Sequence, residues 1–252
     1  MADGAVLQKI AAIMVADLTS DKLENSPEKI HAMRLEEAVE FAENPEPRCP
    51  CVLLLDTSAS MQGVPIDALN DGLNTFRHDL IRDELAKKRV EVAVISFDNQ
   101  VKIIQDFVTA DQFEPPLLTA QGQTFMGTAI HQALDLVAAR KAEYRNNGIA
   151  YYRPWVFMIT DGEPQGESDR MAEQAAQRIS QEETNKQVAF FAVGVEGANM
   201  ERLSMIVART PLKLKGLDFR EMFMWLSASM QAVSHSKLDE QVALPPPGWG
   251  TV

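Results

Sequence analysis

Apolar and polar residues alternate along the chain in blocks that predict strands followed by helices. Runs of consecutive aliphatic residues, such as Val52-Leu53-Leu54-Leu55, are typical of parallel strands that are covered on both faces. The predicted strands are Cys51–Asp56, Val90–Phe97, Val101–Val108, Trp155–Thr160, Gln187–Val195 and Leu212–Leu214. Apolar residues at helical spacing predict helices over about Pro65–Lys87, Gly127–Arg145, Asp169–Glu183, Met200–Ala208 and Phe219–Val233. This alternation predicts an α/β fold with a doubly wound, mostly parallel sheet and helices on both faces, in which Val101–Val108 forms a hairpin with the preceding strand.

The first forty-odd residues follow a different pattern. Apolar residues at helical spacing between Val6 and Leu18, and a helix start at Ser26-Pro27-Glu28, predict a helical hairpin. Asn44-Pro45-Glu46-Pro47 reads as a linker, and Pro245-Pro246-Pro247 marks a tail. We therefore predict a hairpin extension over residues 1–43, a main domain over 44–240 and a Pro-rich tail over 241–252.

Composition narrows the class of partner and the compartment. The 252 residues carry a formal net charge of −12, which argues against non-specific binding to nucleic acid and against attraction to an anionic membrane surface. The apolar stretch Ala5–Leu18 is too short to span a bilayer, so no membrane insertion is expected. Cys49 and Cys51 cannot build a disulfide framework, which favours a reducing, cytoplasmic location. The oligomeric state stays open.

Oxygen-bearing side chains follow three predicted elements that should end at one edge of the sheet. Asp56, Ser58 and Ser60 follow the first strand, Thr124 lies in a glycine-flanked loop before a helix, and Asp161 follows Trp155–Thr160. Sites in open α/β sheets form beyond the carboxyl ends of the strands. The five residues together offer two carboxylates and three hydroxyls, which are donors for a hard, small cation and unlike the thiolate or imidazole ligands of zinc or copper sites.

The number and type of these ligands favour one metal and one mode of action. Two carboxylates are too few for a Ca²⁺ cage, whereas Mg²⁺ retains waters in an octahedral site. A site built mainly from hydroxyls would leave Mg²⁺, or Mn²⁺ as the alternative ion, strongly electrophilic. An open coordination position could then accept a Glu or Asp carboxylate from a protein partner. The helix near Pro65 is expected to direct its N-terminus at the site, which would favour an incoming anion.

The D-x-S-x-S motif, the later Thr124 and the later Thr160-Asp161-Gly162 resemble the metal-ion-dependent adhesion site of von Willebrand factor A domains. The resemblance covers roughly Cys49 to the C-terminus. It is closer to bacterial TerY/YegL-type proteins, which are linked by name to tellurite resistance. The stretches that carry it are Asn44–Cys51, Tyr151–Trp155 and Phe223–Ser227. The resemblance implies that Ser58, Ser60 and Thr124 coordinate the metal directly, while Asp56 and Asp161 act largely through bound water.

The leading interpretation is a non-catalytic, Mg²⁺-dependent protein-interaction module in a bacterial assembly linked to stress or tellurite resistance. A metal-dependent phosphohydrolase is one alternative, although no histidine lies near the loops and no phosphate-binding G-x-x-x-x-G-K-[ST] motif occurs. A metal-independent scaffold acting through the N-terminal hairpin is the other alternative.

Several other residues are expected to have structural roles only. We expect Asp98 and Glu163 to be solvated acids in loops. Cys49 and Cys51 are expected to be buried as small apolar residues. The aromatic side chains of Tyr151, Tyr152 and Trp155 are expected to pack at the start of a strand.

Overall fold

In the computed structural model, the described residues are 40–161, 163–238 and 240–251. The predicted N-terminal hairpin falls mostly outside them, and only its last four residues, 40–43, are described as helical. The chain divides between Pro45 and Glu46, and the unit that begins at Glu46 contains the sheet. Its strands are β1 (Cys49–Asp56), β2 (Val90–Phe97), β3 (Val101–Thr109), β4 (Trp155–Thr160), β5 (Ala189–Gly194), β6 (Leu212–Leu214) and β7 (Gly250–Thr251).

The described strands form one seven-stranded sheet in the order β3-β2-β1-β4-β5-β6-β7. The inner pairings are parallel, and the edge strands β3 and β7 run antiparallel to their neighbours. The predicted doubly wound, mostly parallel sheet is therefore confirmed, and so is the β2–β3 hairpin. Because the chain moves outward from β1 in one direction and from β4 in the other, the crevice between their carboxyl ends is the topological switch point where such folds place a site.

Helices cover both faces of the sheet. They are α1 (Val64–Ile81), α2 (Ala86–Arg89), α3 (Met126–Asn146), α4 (Asp169–Thr184), α5 (Met200–Ile206) and α6 (Phe219–His235). The residues of β1 are fully buried and contribute alternately to two cores. Leu53 and Leu55 pack with side chains of α1 and α6, whereas Val52 and Leu54 pack with side chains of α3, α4 and α5. This two-sided burial explains the uninterrupted aliphatic run in the sequence.

The long helix predicted over Pro65–Lys87 is wrong only near its end, where the structure has two helices. The structure ends α1 at Ile81 and starts the short α2 at Ala86. Asp83 causes the break because its Oδ1 accepts hydrogen bonds from the backbone N–H groups of Leu85 and Ala86, at 3.0 and 2.8 Å. An aspartate that caps a new helix in this way competes with continuation of the preceding one.

The segment predicted as a Pro-rich tail contains a strand. Strand β7 pairs antiparallel with β6, with Leu214 opposite Gly250. The neighbouring Trp249 is buried, and its backbone carbonyl accepts a hydrogen bond of 3.0 Å from the N–H of Lys215. A two-residue strand has no periodicity that a sequence pattern could show, so only the tertiary structure identifies it.

Candidate metal centre

The loop after β1 is organised around the carboxylate of Asp56, the last residue of that strand. Asp56 Oδ1 accepts from the backbone N–H of Ser58 at 2.8 Å, and Oδ2 accepts from the hydroxyl of Thr160 at 2.5 Å. Asp56 is completely buried. Thr160 is the last residue of β4, so this bond joins the two strands that flank the switch point. Sequence reasoning missed Thr160 as a partner, although it opens the Thr160-Asp161-Gly162 motif.

A series of hydroxyl groups continues from this loop to Asp161. The oxygens Oγ of Ser58 and Ser60 lie 3.0 Å apart, and the Ser60 hydroxyl donates to Asp161 Oδ1 at 2.9 Å. Ser58 is buried, Asp161 is half-buried and Ser60 is exposed. The series therefore runs from the protein interior to solvent. The structure thus brings Asp56, Ser58, Ser60 and Asp161 into one hydrogen-bonded group.

Thr124 is held beside this group by its backbone. The Gly122 carbonyl accepts from the N–H of Ala59 at 3.1 Å, and the Thr124 carbonyl accepts from the N–H of Gln165 at 2.9 Å. One bond ties the Thr124 loop to the first loop, and the other ties it to the segment that follows Asp161. The Thr124 side chain is only 2% exposed. The three loops anticipated from the sequence therefore meet at one edge of the sheet.

Gly122 and Glu167 keep the Thr124 loop in place. Gly122 has φ +73°, and a Cβ at this position would lie 2.5 Å from Asn99 Oδ1, so the turn requires glycine. The Glu167 carboxylate accepts from the N–H groups of Gly127 and Thr128, the latter at 3.1 Å. It thereby caps α3 from a distant segment and places a negative charge at that helix N-terminus. Sequence reasoning missed Glu167 because this cap is not local.

Burial makes the negatively charged form of both site carboxylates, Asp56 and Asp161, less favourable. It raises the pKa of Asp56 to about 6, against the hydrogen bonds from Ser58 and Thr160, and the nearby Asp161 charge adds to the rise. Burial also raises the pKa of Asp161, opposed by the hydrogen bond from Ser60. The site therefore holds two carboxylates whose charges favour a cation.

The donor set fits a small divalent cation. All the candidate groups are oxygens, and hydroxyl and carboxylate oxygens are the donors that hard cations select. Ligand oxygens at about 2.1 Å from Mg²⁺ in an octahedron lie about 3 Å from their neighbours. The Ser58–Ser60 and Ser60–Asp161 separations of 3.0 and 2.9 Å match that spacing. No group of three or more His, Cys, Asp or Glu side chains suited to a metal ion occurs among the described residues.

Two acids near the site differ from each other in environment. Asp98 is 5% exposed, and its Oδ1 accepts from the N–H of Gln100 at 2.7 Å. The expectation that Asp98 is a solvated loop acid is therefore wrong, since it closes the β2–β3 turn. Glu163 is exposed and accepts a hydrogen bond from the Asn199 side chain.

The cysteines and the aromatic group take the structural roles expected of them. Cys49 and Cys51 are free and fully buried in the core, and burial raises the pKa of the Cys49 thiol to about 12. Such thiols remain protonated and unreactive. Tyr152 and Trp155 are buried at the start of β4, while Tyr151 is half-buried. Within the described part of the chain, no helix is both long and apolar enough to cross a membrane.

Comparison with known proteins identifies the family. The family model for the von Willebrand factor type A domain matches residues 51–216, which is more than half of the chain. The chain belongs to the von Willebrand factor type A family. The matched region contains the five candidate ligands and the loops that position them. No curated protein matches the chain.

Solved structures share the fold of this von Willebrand factor A domain at low sequence identity. The SpaC pilus adhesin of Lactobacillus rhamnosus GG matches 74% of this chain and 30% of its own, with a TM-score of 0.58 and 13% identity. Proximal thread matrix protein 1 of the mussel byssus, in a second crystal form, matches 73% of this chain and 48% of its own, with a TM-score of 0.52 and 15% identity.

A further structure of the same mussel protein is described as having a zinc-occupied metal-ion-dependent adhesion site. It matches 76% of this chain and 47% of its own, with a TM-score of 0.50 and 16% identity. The chain thus aligns with less than half of each of these neighbours. At such identity the likeness concerns the fold.

Proposed function

We propose that this von Willebrand factor A domain is a non-catalytic protein-interaction module that binds Mg²⁺, with Mn²⁺ as the alternative ion, and presents it to a carboxylate of a partner. The observation that carries the proposal is the hydrogen-bonded series from buried Asp56 through Ser58 and Ser60 to Asp161. It places oxygen donors at the spacing of a small octahedral cation, at the switch point of the sheet.

The ligands divide into two kinds. The hydroxyls of Ser58, Ser60 and Thr124 would hold the ion directly, as the family resemblance implies. Asp56 and Asp161 would act largely through water. Because the Ser60 hydroxyl donates to Asp161, its contact with Ser58 at 3.0 Å requires Ser58 to be the donor. A bound cation would replace this Ser58–Ser60 hydrogen bond, since both oxygens would then coordinate the ion. When bound, the ion supplies the positive charge that the two carboxylates lack.

Electrostatics support an acidic partner that needs the metal. A chain of net charge −12 repels an acidic surface, so an acidic side chain gains attraction here only where a cation is present. Few carboxylates and several neutral hydroxyls leave most of the charge of a divalent ion available to an incoming anion. Both the affinity and the choice of an acidic residue would then depend on the metal.

The same geometry disfavours hydrolysis. A metal-dependent phosphohydrolase needs a base placed to activate water. Both oxygens of Asp56 already accept hydrogen bonds, and Asp161 accepts from Ser60. The described histidines, His78, His131 and His235, lie on helices and not in the three loops. We therefore propose an adhesive role in preference to an enzymatic one.

We also propose a cellular context for the protein. The stretches Asn44–Cys51, Tyr151–Trp155 and Phe223–Ser227 resemble bacterial TerY/YegL-type proteins, and this resemblance alone supports a link to stress or tellurite resistance. Two free, buried cysteines support a reducing, cytoplasmic compartment.

The test combines metal binding with partner capture. We expect calorimetry to show saturable Mg²⁺ binding that the double variant Ser58→Ala/Ser60→Ala loses. We expect a partner from native extract to be captured by the wild type in Mg²⁺, and not in EDTA or by Asp161→Ala. Asp111→Ala, which removes an exposed acid outside the three loops, serves as the matched control and should capture normally.

Capture that is equal in Mg²⁺ and EDTA would contradict the proposal. If deletion of residues 1–43 then abolished that capture, the metal-independent scaffold would replace it. Turnover of a phosphoester that disappears in Asp56→Ala would instead favour the hydrolase.

A further inference from the structure

A second candidate site lies between the start of α6 and the C-terminal segment. It is a cavity of about 530 Å³, a size that suits a side chain or small ligand. Its walls include two indoles and two carboxylates, from Trp225, Trp249, Asp218 and Glu221, and the thioether of Met224. None of these residues belongs to the proposed metal site.

The two indoles form a corner. The ring centroids of Trp225 and Trp249 lie 5.6 Å apart, and the ring planes are inclined at 64°. The N–H of Trp225 donates to the Pro245 carbonyl at 2.7 Å, which fixes the orientation of that ring. Trp225 is only half-buried, so part of its surface remains open. Electron-rich indole faces attract cations, and Trp is the strongest of the aromatic side chains in this respect.

The carboxylates of Asp218 and Glu221 are available to a ligand. Asp218 occupies the N-cap position of α6, yet its side chain makes no capping hydrogen bond. Glu221 lies one turn further along the same helix, and both residues are exposed. No hydrogen bond or ion pair of either carboxylate occurs within the described residues. Among the described residues Lys215 forms no ion pair with either carboxylate, and its Nζ donates to the Gly248 carbonyl at 2.7 Å.

Trp249 carries a buried indole N–H that has no partner in the described structure. This side chain is 4% exposed. A buried unpaired donor is costly and calls for an explanation. Trp249 is also one of the residues that line the cavity.

We propose that this cavity binds a basic side chain, arginine or lysine, of a peptide segment in a protein partner. The cationic head would lie against Trp225 and between the carboxylates of Asp218 and Glu221. The ring of Trp249 would form the second aromatic wall beside the bound head. Arginine fits best because its planar guanidinium can stack on an indole and pair with a carboxylate at the same time.

The cavity lies near the edge of the sheet that carries the proposed metal site. Asp161 follows the carboxyl end of β4, and Asp218 follows that of β6 by four residues. These strands are two positions apart, so their ends are separated by about 10 Å. Binding at the cavity needs no metal, so its test is separate from that of the metal site.

The test uses the indole N–H signals in ¹H–¹⁵N spectra of the full chain in EDTA. The chain has three tryptophans, and Trp155→Phe and Trp225→Phe assign their signals. The probe is acetyl-Gly-Arg-Gly-amide, and the matched neutral probe carries citrulline in place of arginine. We expect the arginine peptide to shift the Trp225 and Trp249 signals saturably, to leave Trp155 unchanged, and to bind at least tenfold more tightly than the citrulline peptide.

Matched variants separate a site from general attraction to a negative protein. Asp218→Asn/Glu221→Gln should weaken binding at least fivefold, whereas Asp111→Asn/Glu173→Gln removes the same charge at exposed positions elsewhere and should change it less than twofold. Equal binding of both peptides, equal shifts of all three indoles, or equal losses in the two double variants would overturn the proposal. Ser58→Ala/Ser60→Ala should bind the peptide normally, so failure here leaves the metal proposal untouched.

Discussion

Buried charged side chains gather at both ends of the central strands, and the two groups are built in opposite ways. At the amino end, the carboxylate of Glu91 in β2 accepts a hydrogen bond from Arg48 Nε at 2.8 Å and one from the Tyr144 hydroxyl. It also accepts from Nε and Nη2 of Arg140, each at 2.9 Å. At the carboxyl end, Asp56 accepts from the N–H of Ser58 and from the hydroxyl of Thr160, which are neutral donors.

The difference lies in where the positive charge comes from. Glu91 and Arg48 are both fully buried, and the protein supplies its own cations there. Within the described part of the chain, no lysine or arginine pairs with Asp56 or Asp161. The first group is complete and holds the fold, whereas the second is electrostatically open. A buried carboxylate surrounded by neutral donors is what a site for an external cation requires.

The largest loss of stability is expected when the carboxylate of the complete group is removed. Glu91→Gln leaves Arg48 and Arg140 buried without their shared counter-charge. We expect the free energy of unfolding to fall by about 3–5 kcal/mol, measured by urea denaturation. Glu143→Gln is the control, because this partner of Arg140 is 30% exposed and should cost no more than about 1 kcal/mol. Similar losses in both variants would contradict the view that burial makes Glu91 decisive.

Removing the charge of Asp56 in the open group should instead increase the free energy of unfolding at neutral pH. Because folding raises the pKa of Asp56 to about 6, its contribution to stability is complete below the unfolded pKa near 4 and is lost as the pH rises to about 6. In EDTA, Asp56→Asn should therefore match the wild type near pH 4 and exceed it by about 2–3 kcal/mol above pH 6. Urea midpoints across this range measure the effect.

If the proposed site exists, Mg²⁺ should reverse this order and make the wild type more stable than Asp56→Asn. Mg²⁺ binds the ionised wild type and stabilises it by mass action, whereas Asp56→Asn should gain much less. A stability difference between the two proteins that is independent of pH in EDTA would show that burial does not raise the pKa of Asp56.

The smallest expected effect tests the hydroxyl that supports Asp56. Thr160→Val keeps the shape of the side chain but removes the donor to Asp56 Oδ2. We expect a loss of about 1 kcal/mol at neutral pH and a further rise in the pKa of Asp56, because the ionised form loses a hydrogen bond. Carboxyl ¹³C titration by NMR measures that pKa. Thr128→Val, whose hydroxyl bonds Glu167 at 3.0 Å, is a matched control that should leave the pKa of Asp56 in place.

Several parts of this structure could be predicted because their signals are local. The unbroken aliphatic run of β1, the bounds of β2, β4 and β6 and the start of α6 at Phe219 follow from periodicity and from turn residues. The five candidate ligands could be named because they directly follow strands or open a helix. Whether they hold a metal stays a prediction.

Other parts depend on contacts between distant segments. Asp98 is buried by the loop before α3, Glu167 caps α3 from beyond β4, and Trp249 returns to pair beside β6. None of these positions carries a periodic pattern, and an aspartate or glutamate in a loop has the same sequence appearance whether it is solvated or bound. The break at Asp83 was local but was hidden by the helical spacing on both sides of it.

The amino-acid sequence was therefore enough to predict the class of fold, the edge of the sheet at which chemistry could occur and the oxygen donors available there. These depend on hydrophobic periodicity and on residues adjacent to strand ends, which are properties of neighbouring positions. Tertiary structure alone decided which carboxylates are neutralised by arginine and which are not. That distinction rests on pairing between residues more than forty positions apart, such as Arg48 with Glu91, and on burial, which no local pattern encodes.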